Sequence, residues 1–202
     1  MFYKRDFWDK TAAFYDFAEA FNGKVYRKMT SVVKKLTREG GAVLECAAGT
    51  GELSLAAAEK AGTVVCTDRS EKMLKIAKKK AKASRKNNIR FEERDIFHLY
   101  DGDERYDTVI AGNVLHLLSC PEKAVKELYR VTKKGGKLLL PTFMTGDKRR
   151  ISIELYRLLG FKAEREYVPL DYIEMLKGCG VGRVKARVIY GKIPCCFAVI
   201  YK

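Results

Sequence analysis

Residues 42–51 are Ala-Val-Leu-Glu-Cys-Ala-Ala-Gly-Thr-Gly, and the organisation of the chain follows from this segment. Residues 42–46 are a short, mostly apolar run containing one carboxylate, a pattern that predicts a buried strand. The small residues 47–51 allow a tight turn and let a ligand approach the backbone closely. Residues 52–60 predict a helix, whose free first amides favour a nearby anionic group. The segment therefore predicts the first strand, turn and helix of a nucleotide-binding α/β unit.

Strand and helix patterns alternate through the residues that follow. Helices are predicted to begin at Ser70 and at Pro121, and further strands at 63–67, 89–94, 106–111 and 137–141. This alternation implies a parallel sheet covered on both faces. Residues 183–190 and 194–201 are predicted to form an antiparallel hairpin around a short turn. The predicted class is α/β, a three-layer sandwich around a seven-stranded, mostly parallel sheet with an antiparallel C-terminal hairpin strand.

The length of 202 residues predicts one domain spanning 1–202. Residues 1–38 are expected to form an N-terminal helical segment, with a break near Asn22-Gly23. This segment is rich in aromatic residues, which predict either a lid over a ligand or a packing face. Residues 42–141 are predicted to be the cofactor-binding core. Residues 142–202 are predicted to supply substrate-side helices and the final hairpin.

Composition excludes some classes of protein. The sequence contains no run of about 18 uninterrupted apolar residues, so no transmembrane helix is predicted. The N-terminus lacks an apolar signal core with a cleavage site, so we expect a cytoplasmic protein. The six cysteines show no Cys-x-x-Cys spacing and predict no metal site. Cys46 and Cys66 lie in strand-like runs and are interpreted as small buried hydrophobic residues.

The chain is strongly basic, with 40 lysine and arginine residues against 25 acidic residues and a net charge of +15. This balance is compatible with an anionic partner, nucleic acid included, or with a lysine-rich solvated surface. The densest basic run, residues 72–90, would spread around much of a helix instead of forming one stripe. That spread favours the solvated surface.

Polar residues close the first four predicted strands, and they are Glu45, Asp68, Asp95 and Asn113. Ligands of open α/β sheets bind beyond the carboxyl ends of the strands. Asp68 follows Gly49 by nineteen residues, which is the place of a carboxylate that accepts both hydroxyls of a ribose. The loop disfavours a dinucleotide, because Glu52 stands where a third glycine belongs and would oppose a pyrophosphate. Two carboxylates beside the loop suit a cationic amine or sulfonium.

These features resemble the class I S-adenosylmethionine-dependent methyltransferases, which have a Rossmann-like fold. The segment 43–51 resembles their glycine-rich first motif, with Ala47 replacing the usual first glycine. Other positions also match the motifs of this family. They are the single residues Asp68 and Met73 and the segments Arg94-Asp95-Ile96, 107–110, 113–116 and 128–140. The N-terminal segments 7–12 and 15–16 are similar to the ubiquinone/menaquinone-biosynthesis-like (methyltransferase type 11) subgroup. The resemblance implies S-adenosylmethionine as cofactor and methyl transfer by in-line displacement.

The resemblance also implies a set of site residues. Those expected to bind the cofactor are Tyr15, Glu45, Ala47, Gly49, Thr50, Gly51, Asp68, Arg69, Met73, Asp95, Ile96 and Asn113. His116 follows the fourth strand and is the first candidate for a general base, ahead of His98. The expected partner is a small-molecule methyl acceptor. The alternatives are an RNA or protein methyltransferase, although no Asn/Asp-Pro-Pro-aromatic motif is present, or a non-catalytic nucleotide-binding protein.

Overall fold

The computed structural model describes residues 22–145 and 163–202, and a seven-stranded sheet organises both ranges. Its order is β3-β2-β1-β4-β5-β7-β6. Strands β1 to β5 run parallel, while β7 lies antiparallel between β5 and β6. The strand bounds are Ala42–Glu45 (β1), Thr63–Asp68 (β2), Ile89–Glu93 (β3), Tyr106–Ile110 (β4), Thr132–Phe143 (β5), Arg183–Ile189 (β6) and Cys195–Tyr201 (β7). The predicted fold class is confirmed.

Helices cover both faces of the sheet. They are α1 (Gly23–Leu36), α2 (Glu52–Ala57), α3 (Glu71–Ala83), α4 (Pro121–Val131) and α5 (Pro169–Gly178), with a 3-10 turn at Leu115–Leu117. The apolar sides of α1 and α2 pack on one face, where Val25, Met29 and Leu53 are buried with Phe197. Helices α4 and α5 pack on the other face through residues such as Leu128. Burial of these apolar stripes is the main force holding the three layers together.

Two element boundaries differ from the sequence prediction. Strand β5 begins at Thr132 instead of residue 137, because the chain continues through Gly135 and Gly136 without leaving the sheet. Gly135 adopts φ +74°, and the register with β4 shifts between Tyr106 and Thr108, so the early part of β5 is irregular. Helix α2 ends at Ala57, three residues before the predicted end. The part of the predicted N-terminal helical segment before residue 22, and residues 146–162 of the predicted substrate-side region, lie outside the described residues.

The cysteines of the first two strands are buried, as predicted. Cys46 and Cys66 expose no more than 1% of their surface, and burial raises the pKa of the Cys46 thiol to about 12. Such thiols remain protonated at neutral pH and pack as small hydrophobic groups. Within residues 22–145 and 163–202, no helix is long and apolar enough to cross a membrane.

A buried carboxylate ties together the amino-terminal edges of three strands. Asp107 of β4 accepts the backbone N–H of Ala42 at 2.9 Å and the ammonium of Lys133 at 2.9 Å. Arg38 donates to the other carboxylate oxygen at 2.8 Å. Burial raises the pKa of Asp107, but these three donors outweigh it and leave the pKa below its usual value. Because this cluster lies at the edge opposite the predicted ligand site, its role is structural.

Candidate functional site

The loop between β1 and α2 adopts left-handed backbone conformations at three positions. These are Ala47 (φ +53°), Gly49 (φ +55°) and Gly51 (φ +84°). A Cβ atom at Gly51 would lie 2.9 Å from the Cβ of Ala77 on α3, so glycine is required there by both backbone and space. Ala47 tolerates its conformation at a cost of about 1 kcal/mol. The loop therefore keeps the turn that the glycine-rich motif predicts, despite alanine at its first position.

Asp68 joins the end of β2 to this loop. One carboxylate oxygen accepts the N–H of Gly49 at 2.8 Å, and the other accepts the N–H of Ser70 at 2.8 Å. Burial raises the pKa of Asp68, while the backbone amides of Ser70 and Gly49 act in the opposite direction. Each oxygen has a second lone pair. The amide of Arg69 also acts on this carboxylate, which still keeps capacity to accept a hydrogen bond from a ribose hydroxyl.

Glu45 places a second carboxylate at the end of β1, beside the loop. Its side chain is 2% exposed, and the hydroxyl of Ser54 on α2 donates to it. The backbone carbonyl of Glu45 accepts the hydroxyl of Thr67 at 2.9 Å, which links β1 to β2. Ser54 thus holds the carboxylate next to the first turn of α2. A negative charge at this position favours a cationic ligand group.

Lys80 of α3 fastens the loop to the next helix. Its ammonium donates to the hydroxyl of Thr50 at 3.0 Å and to the carboxylate of Glu52 at 2.7 Å. The side chain of Lys80 is 24% exposed, so this member of the basic run 72–90 is not part of a freely solvated surface. Lys80 also neutralises Glu52, whose charge would otherwise act on any ligand at the start of α2.

Four more of the predicted cofactor-binding residues lie at or just beyond the ends of β2 and β3. Asp95 accepts the N–H of Phe97 at 3.0 Å, and its carboxylate lies 3.9 Å from the guanidinium of Arg69. Ile96 is buried in the core beneath this turn. Met73 is also buried, in the first turn of α3, where its N–H is capped by the hydroxyl of Ser70. The predicted residues therefore border two adjacent strand ends.

Asn113 follows β4 at the same edge of the sheet. It adopts φ +53°, and its side-chain amide donates to the hydroxyl of Tyr26 on α1 at 3.3 Å. The ring of Tyr26 packs edge-to-face on Phe143 at the end of β5. The Oδ1 atom of Asn113 is buried and has no hydrogen-bond partner within residues 22–145 and 163–202. Such an atom is costly unless a ligand supplies a donor.

His116 lies three residues further on, in the 3-10 turn. Burial lowers the pKa of its imidazole to about 4, so the ring is neutral at physiological pH. Its Nδ1 atom is buried and makes no hydrogen bond to the described part of the chain, as is also true of the Oγ1 atom of Thr145 beyond β5. The backbone carbonyl of His116 accepts the N–H groups of Glu164 and Arg165. These contacts fix the backbone of the turn that carries the ring.

The fold gathers most of the predicted site at one edge. The ends of β1, β2, β3 and β4 carry Glu45, Asp68, Asp95 and Asn113, and the loop residues lie between the first two of these ends. Tyr15 lies outside the described residues. Three contributing side chains were not predicted, namely Tyr26, Ser54 and Lys80. Ser54 lies close to the motif in sequence, but nothing in the sequence pairs Lys80 with Thr50 or Tyr26 with Asn113.

Comparison with known proteins agrees with this geometry. The methyltransferase domain family matches residues 43–136. A ubiquinone/menaquinone biosynthesis C-methyltransferase of Bdellovibrio bacteriovorus is 38% identical over 117 residues, which cover 54% of this chain and 49% of that protein. A ubiquinone biosynthesis O-methyltransferase of Coxiella burnetii is 26% identical over 153 residues, covering 74% of this chain and 63% of that protein.

A solved structure extends the similarity to the whole fold. An S-adenosylmethionine-dependent methyltransferase from Aquifex aeolicus superposes with a TM-score of 0.65 at 25% identity, covering 85% of this chain and 89% of that chain. By contrast, the chain spans about half the length of the first curated relatives it matches. Residues 43–136 match a methyltransferase domain, and the chain as a whole resembles the class I S-adenosylmethionine-dependent methyltransferases, an enzyme family, and within it the ubiquinone/menaquinone-biosynthesis type.

Proposed function

We propose that this protein binds S-adenosylmethionine at the carboxyl edge of β1, β2 and β3 and transfers its methyl group to a small-molecule acceptor. The observation that carries this proposal is Asp68. Its carboxylate is held by the backbone amides of Gly49, Ser70 and Arg69 at the end of β2, and it retains capacity to accept a further hydrogen bond. A ribose with free hydroxyls matches that capacity, whereas a 2′-phosphate would be repelled.

The remaining parts of the cofactor have suitable partners along the same edge. Asp95 follows the neighbouring strand and can accept the exocyclic amine of adenine. Glu45 supplies negative charge beside the loop, which suits the ammonium and sulfonium groups. The buried Oδ1 of Asn113 accepts no hydrogen bond from the described residues. A cationic amine of the cofactor would supply the missing donor. The residues present therefore fit this cofactor.

When bound, the cofactor supplies an activated methyl group, so the contribution of the protein is mainly positional. Effective molarities of about 10⁵ to 10⁸ M show how much alignment alone can supply. His116 is neutral at physiological pH, and its Nδ1 lies buried near the end of β4. With a pKa of about 4 it holds a proton weakly. We propose that the main role of His116 is to orient the acceptor through a hydrogen bond. It would act as a general base only if the acceptor is itself acidic.

For the acceptor, we infer a compound with an oxygen-bearing ring. The relatives are named for C- and O-methylation in ubiquinone and menaquinone biosynthesis. In this chain, His116 and Thr145 offer buried polar atoms without partners among the described residues, and such atoms suit ring hydroxyls or carbonyls. Production of S-adenosylhomocysteine across a panel of phenols, catechols and quinols tests this class. Turnover confined to RNA or protein acceptors would contradict it.

Cofactor binding is tested by calorimetry with S-adenosylmethionine and NAD side by side. Asp68→Ala should weaken binding of S-adenosylmethionine by about 1–3 kcal/mol, because ribose hydroxyls lose their acceptor. The matched control is Glu174→Ala, which removes the same charge from an exposed position on α5. Tight NAD binding without a response to S-adenosylmethionine, or unchanged affinity in folded Asp68→Ala, would overturn the assignment.

A further inference from the structure

Two segments without any acidic residue come together on the α1 face of the sheet. Residues 22–38 and 175–202 contain lysine and arginine but neither aspartate nor glutamate. The first forms α1, and the second forms β6 and β7. They meet where the side chain of Asn22 donates to the carbonyl of Ile193 at 2.8 Å. Lys34 and Arg38 pair with carboxylates of other segments, but the positive charge of the chain is still unevenly placed and concentrated at this side of the sheet.

A cavity of about 620 Å³ opens between α1 and β6. Its charged lining residues are Lys24, Arg27, Lys28 and Arg187. All four are exposed, and none makes an ion pair with a carboxylate within residues 22–145 and 163–202. The ring of Tyr190, which is 72% exposed, lies at the same cavity. Four cations that make no ion pair in the described part of the chain, beside an accessible aromatic ring, suit a ligand that carries both phosphates and a flat ring.

We propose that this cavity, together with the strip of cations along β6, binds single-stranded nucleic acid. The strip continues beyond the cavity, since Arg183 and Lys185 share the face of Arg187 on alternate residues. Both lie over the ring of Tyr201, at 5.3 and 5.8 Å from its centroid. A row of cations longer than the cavity matches a phosphate chain better than a free nucleotide. Its concave shape favours a strand over a flat membrane surface.

Protection of an exposed sheet edge does not account for the whole feature. Cations on an edge strand discourage pairing with other chains, and this explains Arg183, Lys185 and Arg187 on β6. It does not explain Lys24, Arg27 and Lys28, which are on a helix. The methyl-transfer site is also separate from the cavity. The sheet order places β6 three strands from β4, or about 14 Å at the usual strand spacing.

The experiment measures binding of a fluorescein-labelled oligouridine of about twelve nucleotides to the full chain by anisotropy, without cofactor. The triple variant Arg27→Gln, Lys28→Gln, Arg187→Gln should weaken binding about tenfold or more at about 0.1 M salt. Its slope of log affinity against log salt should fall by about two, since three phosphate contacts are lost. Tyr190→Ala should weaken binding several-fold through lost stacking while leaving that slope unchanged.

The matched control removes the same charge from α3 through Lys72→Gln, Lys78→Gln and Lys79→Gln, which are exposed. This triple should change affinity by less than about twofold, and circular dichroism checks that both triples fold. Equal losses in the two triples, or no binding by the wild type, would overturn the proposal. The proposal would also be overturned if the cavity bound inorganic pyrophosphate or phosphatidylglycerol vesicles but did not bind the oligouridine. Since no cofactor is present, failure here leaves the proposed methyl transfer standing.

Discussion

Burial of His116 makes the stability of this protein depend on pH in a calculable way. The imidazole has a pKa of about 4 in the folded chain against 6.5 when solvated, because its charged form would lose hydration without gaining a partner. Below pH 6.5 the unfolded chain therefore binds a proton that the folded chain resists. Stability falls as pH falls through the window from 6.5 to about 4, and is unaffected above it.

The magnitude follows from the two pKa values. A difference of one pKa unit corresponds to about 1.36 kcal/mol, so the complete loss below the folded pKa is about 3 kcal/mol. At pH 4.5 the loss is about 2.5 kcal/mol. His116→Gln removes the titrating group and keeps a polar side chain of similar size. Between pH 7.5 and 4.5 the wild type should therefore lose about 2.5 kcal/mol more free energy of unfolding than the variant.

The assay is urea unfolding followed by circular dichroism across this pH range, with wild type and variant in parallel. Carboxylates titrating in both proteins cancel in the difference. His98→Gln, at an exposed position, serves as a control and should follow the wild type, because His116 is intact. Parallel loss of stability in the wild type and His116→Gln would refute a buried, neutral imidazole, and with it the orienting role proposed for that ring.

Two further predictions concern ion pairs at opposite edges of the sheet. Lys80→Met should weaken S-adenosylmethionine binding about tenfold by calorimetry, since Thr50 and Glu52 lose their hydrogen bonds to the ammonium group. Lys80→Arg should recover part of this loss, and the control Lys79→Met should leave the affinity unchanged. Unchanged affinity in Lys80→Met would remove Lys80 from the site. Asp107→Asn should destabilise the fold by about 1–3 kcal/mol at pH 7. Because the folded pKa of this aspartate is lowered, the difference should begin to shrink as pH falls below its usual pKa and be lost as pH falls through the lowered folded pKa; a difference that stays constant in acid would contradict the ion-pair explanation.

Local chemistry allowed the cofactor loop to be predicted from the sequence. Small residues at 47–51 allow a tight turn, and the turn appears with left-handed backbone at Gly49 and Gly51. Ser70 was also recognised as a helix cap, and its hydroxyl accepts the N–H of Met73. The grouping of the strand-end polar residues was predictable because parallel strands place their carboxyl ends at one edge of the sheet. Start positions were less accurate where glycines continue a strand, as at the beginning of β5.

Contacts between distant segments could not be predicted in the same way. Lys80 was interpreted as one member of a solvated run, and only the packing of α3 beside the loop brings it to Thr50 and Glu52. The pKa of His116 likewise depends on burial, which adjacent residues do not reveal. Charge patterning in the sequence favoured a solvated basic surface and did not indicate a cavity. The basic surface became a defined cavity only when α1 and β6, more than 140 residues apart, were packed together.

Local sequence patterns were sufficient to predict the α/β class, the cofactor loop and the strand-end carboxylates, because each depends on interactions between near neighbours in the chain. Tertiary structure decided which side chains are desolvated, which cations stay unpaired and which helix fastens the loop. Those properties depend on the distances between elements and on the exclusion of water, and both are set only when the layers pack.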